Sequence, residues 1–281
     1  MTLARTGDLV ADAARAGGAV LAFNVITLEH AEGIADGLTA AGVPGILQVS
    51  ENAVLFHGGR MAALVAACRE VAQAAGVPVS VHLDHVQDAA LARSVVAEAG
   101  RLGISSLMVD AAHLDYEDNV ATTADLAAAG HDRGLWIEAE LGEIGGKDGA
   151  HAPGVRTDPD EAASFVERTG VDGLAVAVGS SHAMTTATAE LDHDLIARLA
   201  GALPVPLVLH GSSGVPLPAL REAVAAGIRK INVGTALNVA YTGQVRGYLA
   251  QDAKVTDPRK YLTKARAAIR DQVADLSSAL R

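Results

Sequence analysis

"VSVHLDHVQDAALARSVVAEAGRLGISSLMVD", residues 79–110, holds a strand, a helix and the next strand in one stretch. Its first six residues are of β type and end on Asp84, an Ala-rich run of helical period follows, and "SSLMVD" ends on Asp110. Strand, helix and strand in that order make a βα unit, whose neighbouring strands run parallel. The same unit recurs on both sides. β-type runs end at Asn24 ("AVLAFN"), Ser50 ("GILQVS"), Glu140 ("WIEAEL"), Gly179 ("LAVAVG"), Gly211 ("PLVLHG") and Gly234 ("RKINVG"). All eight ends lie 23 to 39 residues apart, about one βα unit each. Eight such units predict an α/β chain folded as a (β/α)8 TIM barrel rather than an open doubly wound sheet. "TGDLVADAARAG", residues 6–17, reads as an extra N-terminal helix closing the barrel bottom, and residues 236–250 and 258–280 read as C-terminal helices. No linker divides the chain, so residues 1–281 are expected to be one domain.

The 281 residues are 50% hydrophobic and only 3% aromatic, so the core must be built from Ala, Val, Leu and Ile. A formal charge of −11 argues against nucleic acid or an anionic membrane surface as partner, because both need basic patches. A small ligand fits better. The N-terminus lacks an apolar leader and no long uncharged apolar run is present, so the cytoplasm is the expected compartment and no membrane span is expected. The lone Cys68 sits on a helical pattern and reads as a buried, inert thiol.

In this fold the working face is where the C-terminal ends of the strands meet the following loops. Ionisable residues at those ends are Asp84 and His85, Asp110, Glu138 and Glu140, His182 after the sixth strand, and His210 on the seventh. Three neutral imidazoles, His85, His182 and His210, converging over one barrel mouth would suit a catalytic zinc ion, a Lewis acid for a carbonyl or enediolate oxygen. Asp84 then reads either as a carboxylate orienting a histidine or as a general acid/base. His82, inside the strand run, reads as a hydrogen-bonded core histidine. His30, His57, His131 and His193 read as solvated, with His113 and His151 in polar loops near the rim.

After the seventh strand comes "HGSSGVP" and after the eighth "NVGTAL". Gly211, Ser212, Ser213 and Gly214, with Gly234 and Thr235, offer backbone N–H groups and hydroxyls at the two loops that commonly take a phosphate in this fold. Residues 140–161, Gly-rich and carrying Lys147, Asp148 and Arg156, have the length of a lid.

"HLDH" at 82–85, "VDAAHL" at 109–114, "EAELGEIGG" at 138–146, "AVAVGSSHAM" at 175–184, "LVLHGSSG" at 207–214 and "KINVGTAL" at 230–237 resemble, in that order, the class II zinc-dependent ketose-bisphosphate aldolases. "AFNV" and "TDPRKYL", 256–262, extend the likeness, and the tagatose-bisphosphate branch is the most similar. The resemblance implies reversible cleavage of fructose or tagatose 1,6-bisphosphate to dihydroxyacetone phosphate and an aldehyde, in a homo-oligomer of at least two copies. By the same resemblance, His85, His182 and His210 are the zinc ligands and Asp84 the acid/base. Asp110 and Glu140 match a second metal position. Asn24, Ala183, Gly211, Ser212, Ser213, Asn232, Val233, Gly234 and Thr235 match the substrate and phosphate contacts, with a monovalent cation as a further candidate ligand. Ala183 stands where relatives have Gly. "GGKDG" replaces a glutamate pair, which leaves Asp148 as the candidate for moving the C3 proton. Two rival readings are a Schiff-base aldolase using Lys230 and a non-catalytic barrel subunit stabilising another aldolase.

Overall fold

The computed structural model describes residues 2–142, 156–181 and 184–281. Eight parallel strands close into a barrel in sequence order, with β1 pairing back to β8. They are β1 Val20–Asn24, β2 Gly45–Ser50, β3 Val79–Val86, β4 Ser106–Val109, β5 Trp136–Glu140, β6 Gly173–Ala175, β7 Leu207–Leu209 and β8 Ile228–Val233. The helices are α1 Thr6–Arg15, α2 Leu28–Ala41, α3 Glu51–Phe56, α4 Met61–Ala74, α5 Ala89–Leu102 and α6 Tyr116–His131. They continue as α7 Pro159–Thr169, α8 His193–Ala202, α9 Leu217–Ala226, α10 Thr235–Gln251 and α11 Pro258–Ala279. The barrel, the preceding helix and the two C-terminal helices are therefore as the sequence predicts. None of the helices is long and apolar enough to cross a membrane among the described residues.

Local chemistry sets the helix ends. Asp88 and Asp158 accept hydrogen bonds from the first free N–H groups of α5 and α7, and Gly103 and Gly170 end the same helices in the left-handed conformation, which costs a glycine little. Cys68 on α4 is fully buried, and burial pushes its thiol up to about 12, which makes it inert as expected.

Alternation along the strands separates two environments. Leu21, Phe23, Leu47, Val81, Leu83, Leu107, Ile137, Leu174, Leu209 and Ile231 join the large apolar cluster that also takes in the helices. The residues between them form the barrel interior. At its N-terminal end Val20, Ala22 and Ile46 pack with Leu9 and Val10 of α1 and with Trp136, so α1 plugs the bottom. Gly173 leaves room for Trp136, since a Cβ there would lie 2.5 Å from the indole. Higher up the interior turns polar, with Gln48, His82, Asp84, Glu138, His210, Lys230 and Asn232 all buried. Such groups are tolerated only when paired.

Two expectations need correction. β6 does not run to Gly179. Val176, Ala177 and Val178 are buried, and Val176 N still donates to Val208 O of β7, but the chain then leaves the ladder: Ala177 exchanges hydrogen bonds with Thr157, and Val178 O accepts from Asp192 N. Apolar composition persists there because the loop is covered. His30 is not solvated but 3% exposed, stacked on Tyr241 of α10 with ring centroids 4.6 Å apart and Nδ1 3.1 Å from the Thr27 hydroxyl. Burial lowers its pKa to about 4, against the opposing pull of Glu29. His57 and His193 are half-buried, their Nε2 groups directed at Ile26 O and Ala219 O, whereas His131 is exposed and paired with Asp172. His113 is exposed, and His151 lies outside the described residues.

Candidate active site

At the C-terminal mouth of the barrel lies a cavity of about 130 Å³. Asn24, Gln48, Asp84, His85 and His210 line it together with Gly211–Ser213, Asn232, Gly234 and Thr235. The structure thus brings together, from β1, β3, β7, β8 and the loops that follow them, most of the residues singled out in the sequence. His182, Ala183 and Asp148 lie outside the described residues, as does residue range 143–155 of the lid candidate. Val233 belongs to the apolar cluster outside the barrel, so its side chain faces away from the cavity. Asp110 and Glu140 are fully buried beside His85 and do not line the cavity.

The end of β3 is where the backbone departs from regularity. His85 has φ +48, in the left-handed region, and the β3–β4 register shifts between Leu83 and Val86. Such a conformation costs a non-glycine residue on the order of 1–3 kcal/mol and clusters at functional sites. The bulge turns His85 so that its two ring nitrogens serve two neighbours. Nδ1 is 3.0 Å from Asp110 Oδ2, and Nε2 is 2.8 Å from His210 Nδ1. Gln87 Nε2 donates to the same Asp110 oxygen at 3.1 Å.

Asp84, one residue earlier and 2% exposed, accepts from Gln48 Nε2 at 3.0 Å and from Asn232 Nδ2 at 3.3 Å. Burial alone would raise its pKa, but His85, His82 and His210 together hold the carboxyl well below the usual carboxylate range. His82 keeps the core role expected of it: Nδ1 is 2.8 Å from Ser106 Oγ, which donates to Thr6 Oγ1 of α1 at 2.6 Å. Its Nε2 is 3.7 Å from Asp84, too long for a hydrogen bond. Burial, and after it the Lys230 ammonium, lowers the His82 pKa, against the opposing pull of Asp84 and Glu138.

Beneath the cavity Lys230 Nζ donates to Asn232 Oδ1 at 2.7 Å, Glu138 Oε2 at 2.8 Å and Gln48 Oε1 at 3.4 Å. Glu138 Oε1 is 2.8 Å from His210 Nε2. Against burial, Lys230 and then His210 lower the Glu138 pKa to about 2. Gln48 and Glu138 were not assigned roles from the sequence. Their signal was parity: Gln48 shares the inward phase of Ile46, and Glu138 that of Trp136 and Glu140.

Two loops complete the mouth. Gly211 has φ +68, and a Cβ there would fall 2.6 Å from Ser181 O. Ser212 Oγ donates to Asn232 O, and Ser213 Oγ accepts from Ala236 N in the first turn of α10. Gly234, preceding α10, leaves only 3.0 Å between a Cβ and Asn24 Nδ2. Hydroxyls and a helix N-terminus so arranged suit an anionic oxygen cluster.

Donor atoms of Asp84, His85 and His210 lie within 4.8 Å of one another, as do those of His85, Asp110 and Glu140. Two imidazoles with a carboxylate are a donor set suited to zinc, while the carboxylate-rich second group suits a harder divalent ion. The residues therefore fit the metal that the sequence resemblance implied.

Comparison with known proteins points to one family. The family model described as fructose-bisphosphate aldolase class-II matches residues 4–281. A fructose-bisphosphate aldolase of Thermus caldophilus is 38% identical over 296 residues, covering 95% of each chain. The crystal structure of the YdjI aldolase of Escherichia coli K12 superposes with a TM-score of 0.82 at 31% identity, over 99% of this chain and 97% of that one. A fructose-bisphosphate aldolase of Campylobacter jejuni shares the fold, with a TM-score of 0.81 at 22% identity over 97% and 93% of the two chains.

Proposed function

The chain belongs to the class II fructose-bisphosphate aldolase family and is a carbon–carbon lyase, and from that premise we propose that its barrel mouth cleaves fructose 1,6-bisphosphate reversibly to dihydroxyacetone phosphate and an aldehyde, with zinc as cofactor. The observation that carries the reading is one cavity lined at once by Asp84, His85, His210 and both Ser/Gly loops. The acid/base, the metal donors and the phosphate handle are then within reach of one small substrate.

In this reading the loops after β7 and β8 hold the phosphate of the dihydroxyacetone half, and their backbone N–H groups and hydroxyls set its distance from Asp84. Asp84, ionised, accepts the proton of the C4 hydroxyl as the C3–C4 bond breaks, and the electron pair of that bond stays on C3 as an enediolate. Gln48 and Asn232 hold the carboxylate by one oxygen each, which keeps it from turning away from the substrate. His85, His182 and His210 would hold the zinc ion, which when bound supplies Lewis acidity for the negative charge developing on the substrate oxygen. Asp148 is retained as the candidate for protonating C3. Asp110 and Glu140 are retained as holders of a second ion.

Lys230 supports the metal reading over a Schiff base. Its ammonium is fully buried, paired with Glu138 and not on the cavity wall, so it has neither the lone pair nor the access a nucleophilic amine needs. The test is cleavage of fructose and tagatose 1,6-bisphosphates before and after chelation, with zinc add-back. Loss on chelation and recovery with zinc is expected; chelator-insensitive cleavage with borohydride trapping would replace zinc by Lys230. A tagatose preference, a monovalent cation requirement, a cytoplasmic setting and an assembly of at least two copies belong to the same proposal. The exposed Leu55, Phe56, Val239 and Leu249 support the last of these, which sedimentation velocity tests.

A further inference from the structure

The Glu138–Lys230 pair sits one layer below the cavity, both side chains fully buried, and the cleavage chemistry above makes no use of it. Burying two charges is expensive, and an apolar pair of similar volume would fill the space at least as well. The contacts of Glu138 are unequal. Oε2 takes Lys230 Nζ at 2.8 Å, and Oε1 lies 2.8 Å from His210 Nε2. A carboxylate oxygen and an imidazole lone pair cannot face each other at that distance, so a proton lies between them and Nε2 is the protonated nitrogen. Asn232 Nδ2 also approaches Nε2, at 3.0 Å, but its Oδ1 is fixed by Lys230 at 2.7 Å, which turns its amide protons toward Asp84 Oδ1.

We propose that Glu138, anchored by Lys230, is a positioning residue that locks His210 in its Nε2–H tautomer and so presents Nδ1 as the metal-binding atom beside His85. The inference rests on the zinc reading above and deepens it. Nδ1 is the His210 nitrogen that faces His85 Nε2, 2.8 Å away, on the cavity side, while Nε2 points down to the charge pair. Lys230 Nζ and His210 Nε2 each take one Glu138 oxygen at 2.8 Å, which fixes the carboxylate behind the imidazole. A carboxylate behind a ligating histidine typically contributes 10–100-fold in metal affinity.

Two measurements test this. ¹⁵N imidazole NMR of the metal-free wild-type enzyme, with His210 assigned by its loss in His210→Asn, is expected to show the Nε2–H tautomer; the Nδ1–H tautomer overturns the proposal whether or not any variant folds. Chelator competition is expected to show zinc bound 10–100-fold more weakly by Glu138→Gln and by Lys230→Met. The double variant Glu138→Gln/Lys230→Met, which removes both charges, is expected to regain the melting temperature lost by the single variants without regaining zinc affinity, a split that a merely structural ion pair would not produce. Zinc affinity in Glu138→Gln within twofold of wild type overturns the proposal. Failure of the wild type itself to bind zinc overturns the metal reading instead, so the two failures are told apart.

Discussion

Replacing Asp84 by asparagine removes the proposed base while keeping its shape. The side chain is 2% exposed and held by Gln48 Nε2 and Asn232 Nδ2, one on each oxygen. Asparagine satisfies one of these donors and sets its own NH2 against the other, so one buried hydrogen bond is lost, about 1–3 kcal/mol. Removing a buried charge offsets part of that, and the variant is expected to fold with a small change in melting temperature. Turnover should respond far more strongly. His85 and its neighbours hold Asp84 ionised against the burial that would raise its pKa, so at neutral pH the wild type carries a base ready to accept the C4 hydroxyl proton. General acid/base groups contribute roughly 10²–10⁴ in rate, which corresponds to about 3–5 kcal/mol of transition-state stabilisation. The assay is steady-state cleavage of fructose 1,6-bisphosphate, with KM and zinc content measured on the same preparation. A kcat lowered by 10²–10⁴ with zinc retained is expected. A fall of less than tenfold refutes the acid/base role, and loss of zinc makes Asp84 a ligand.

His210→Ala should remove zinc itself, because it deletes one of the proposed donors; after dialysis the metal content is expected to fall from about one ion per chain to nearly none, read by atomic absorption. Gly211→Ala forces a Cβ to 2.6 Å from Ser181 O at φ +68. A loss of about 1–3 kcal/mol in urea unfolding and a raised KM for the phosphorylated substrate are expected, and unchanged values would argue against a built phosphate loop. His30, lowered by burial from 6.5 to about 4, predicts a pH effect. The unfolded chain takes up that proton first, so stability falls as pH drops from 6.5 through 4, by on the order of 3 kcal/mol from this group. In His30→Phe that part of the slope in urea midpoint against pH should disappear.

The barrel was legible because its strands and helices carry different local chemistry: β-type runs alternate with Ala-rich helical stretches, and Asp or Gly marks the helix ends. The rim was legible once the fold was, since Asn24, Asp84 and His210 stand at strand ends by counting alone. What escaped depends on distant contacts. His30 looked solvated because nothing near it in sequence announces Tyr241 of α10, whose ring covers it. β6 ends before its apolar run does because burial of Ala177 and Val178 comes from loop cover, which composition does not separate from ladder pairing. His85 is legible by its place at a strand end, yet the φ of +48 that aims it is a tertiary property of the β3 bulge.

The distribution of polarity inside the barrel explains why these misses cluster. Apolar residues and α1 fill the lower end, where packing alone is needed and local pattern suffices. The middle holds Lys230, Glu138, Gln48 and Asn232, each satisfied by partners from other strands. Each is out of place in a buried strand by local rules, and such departures are expected where function sets the residue. The two histidines and the aspartate above them need fixed directions more than they need stability. A layer of mutually hydrogen-bonded charges supplies direction in a way an apolar layer cannot, because hydrogen bonds are directional and hydrophobic contacts are not. On this view the polar interior costs stability at its centre so that its upper surface presents Asp84, His85 and His210 to the substrate in one orientation.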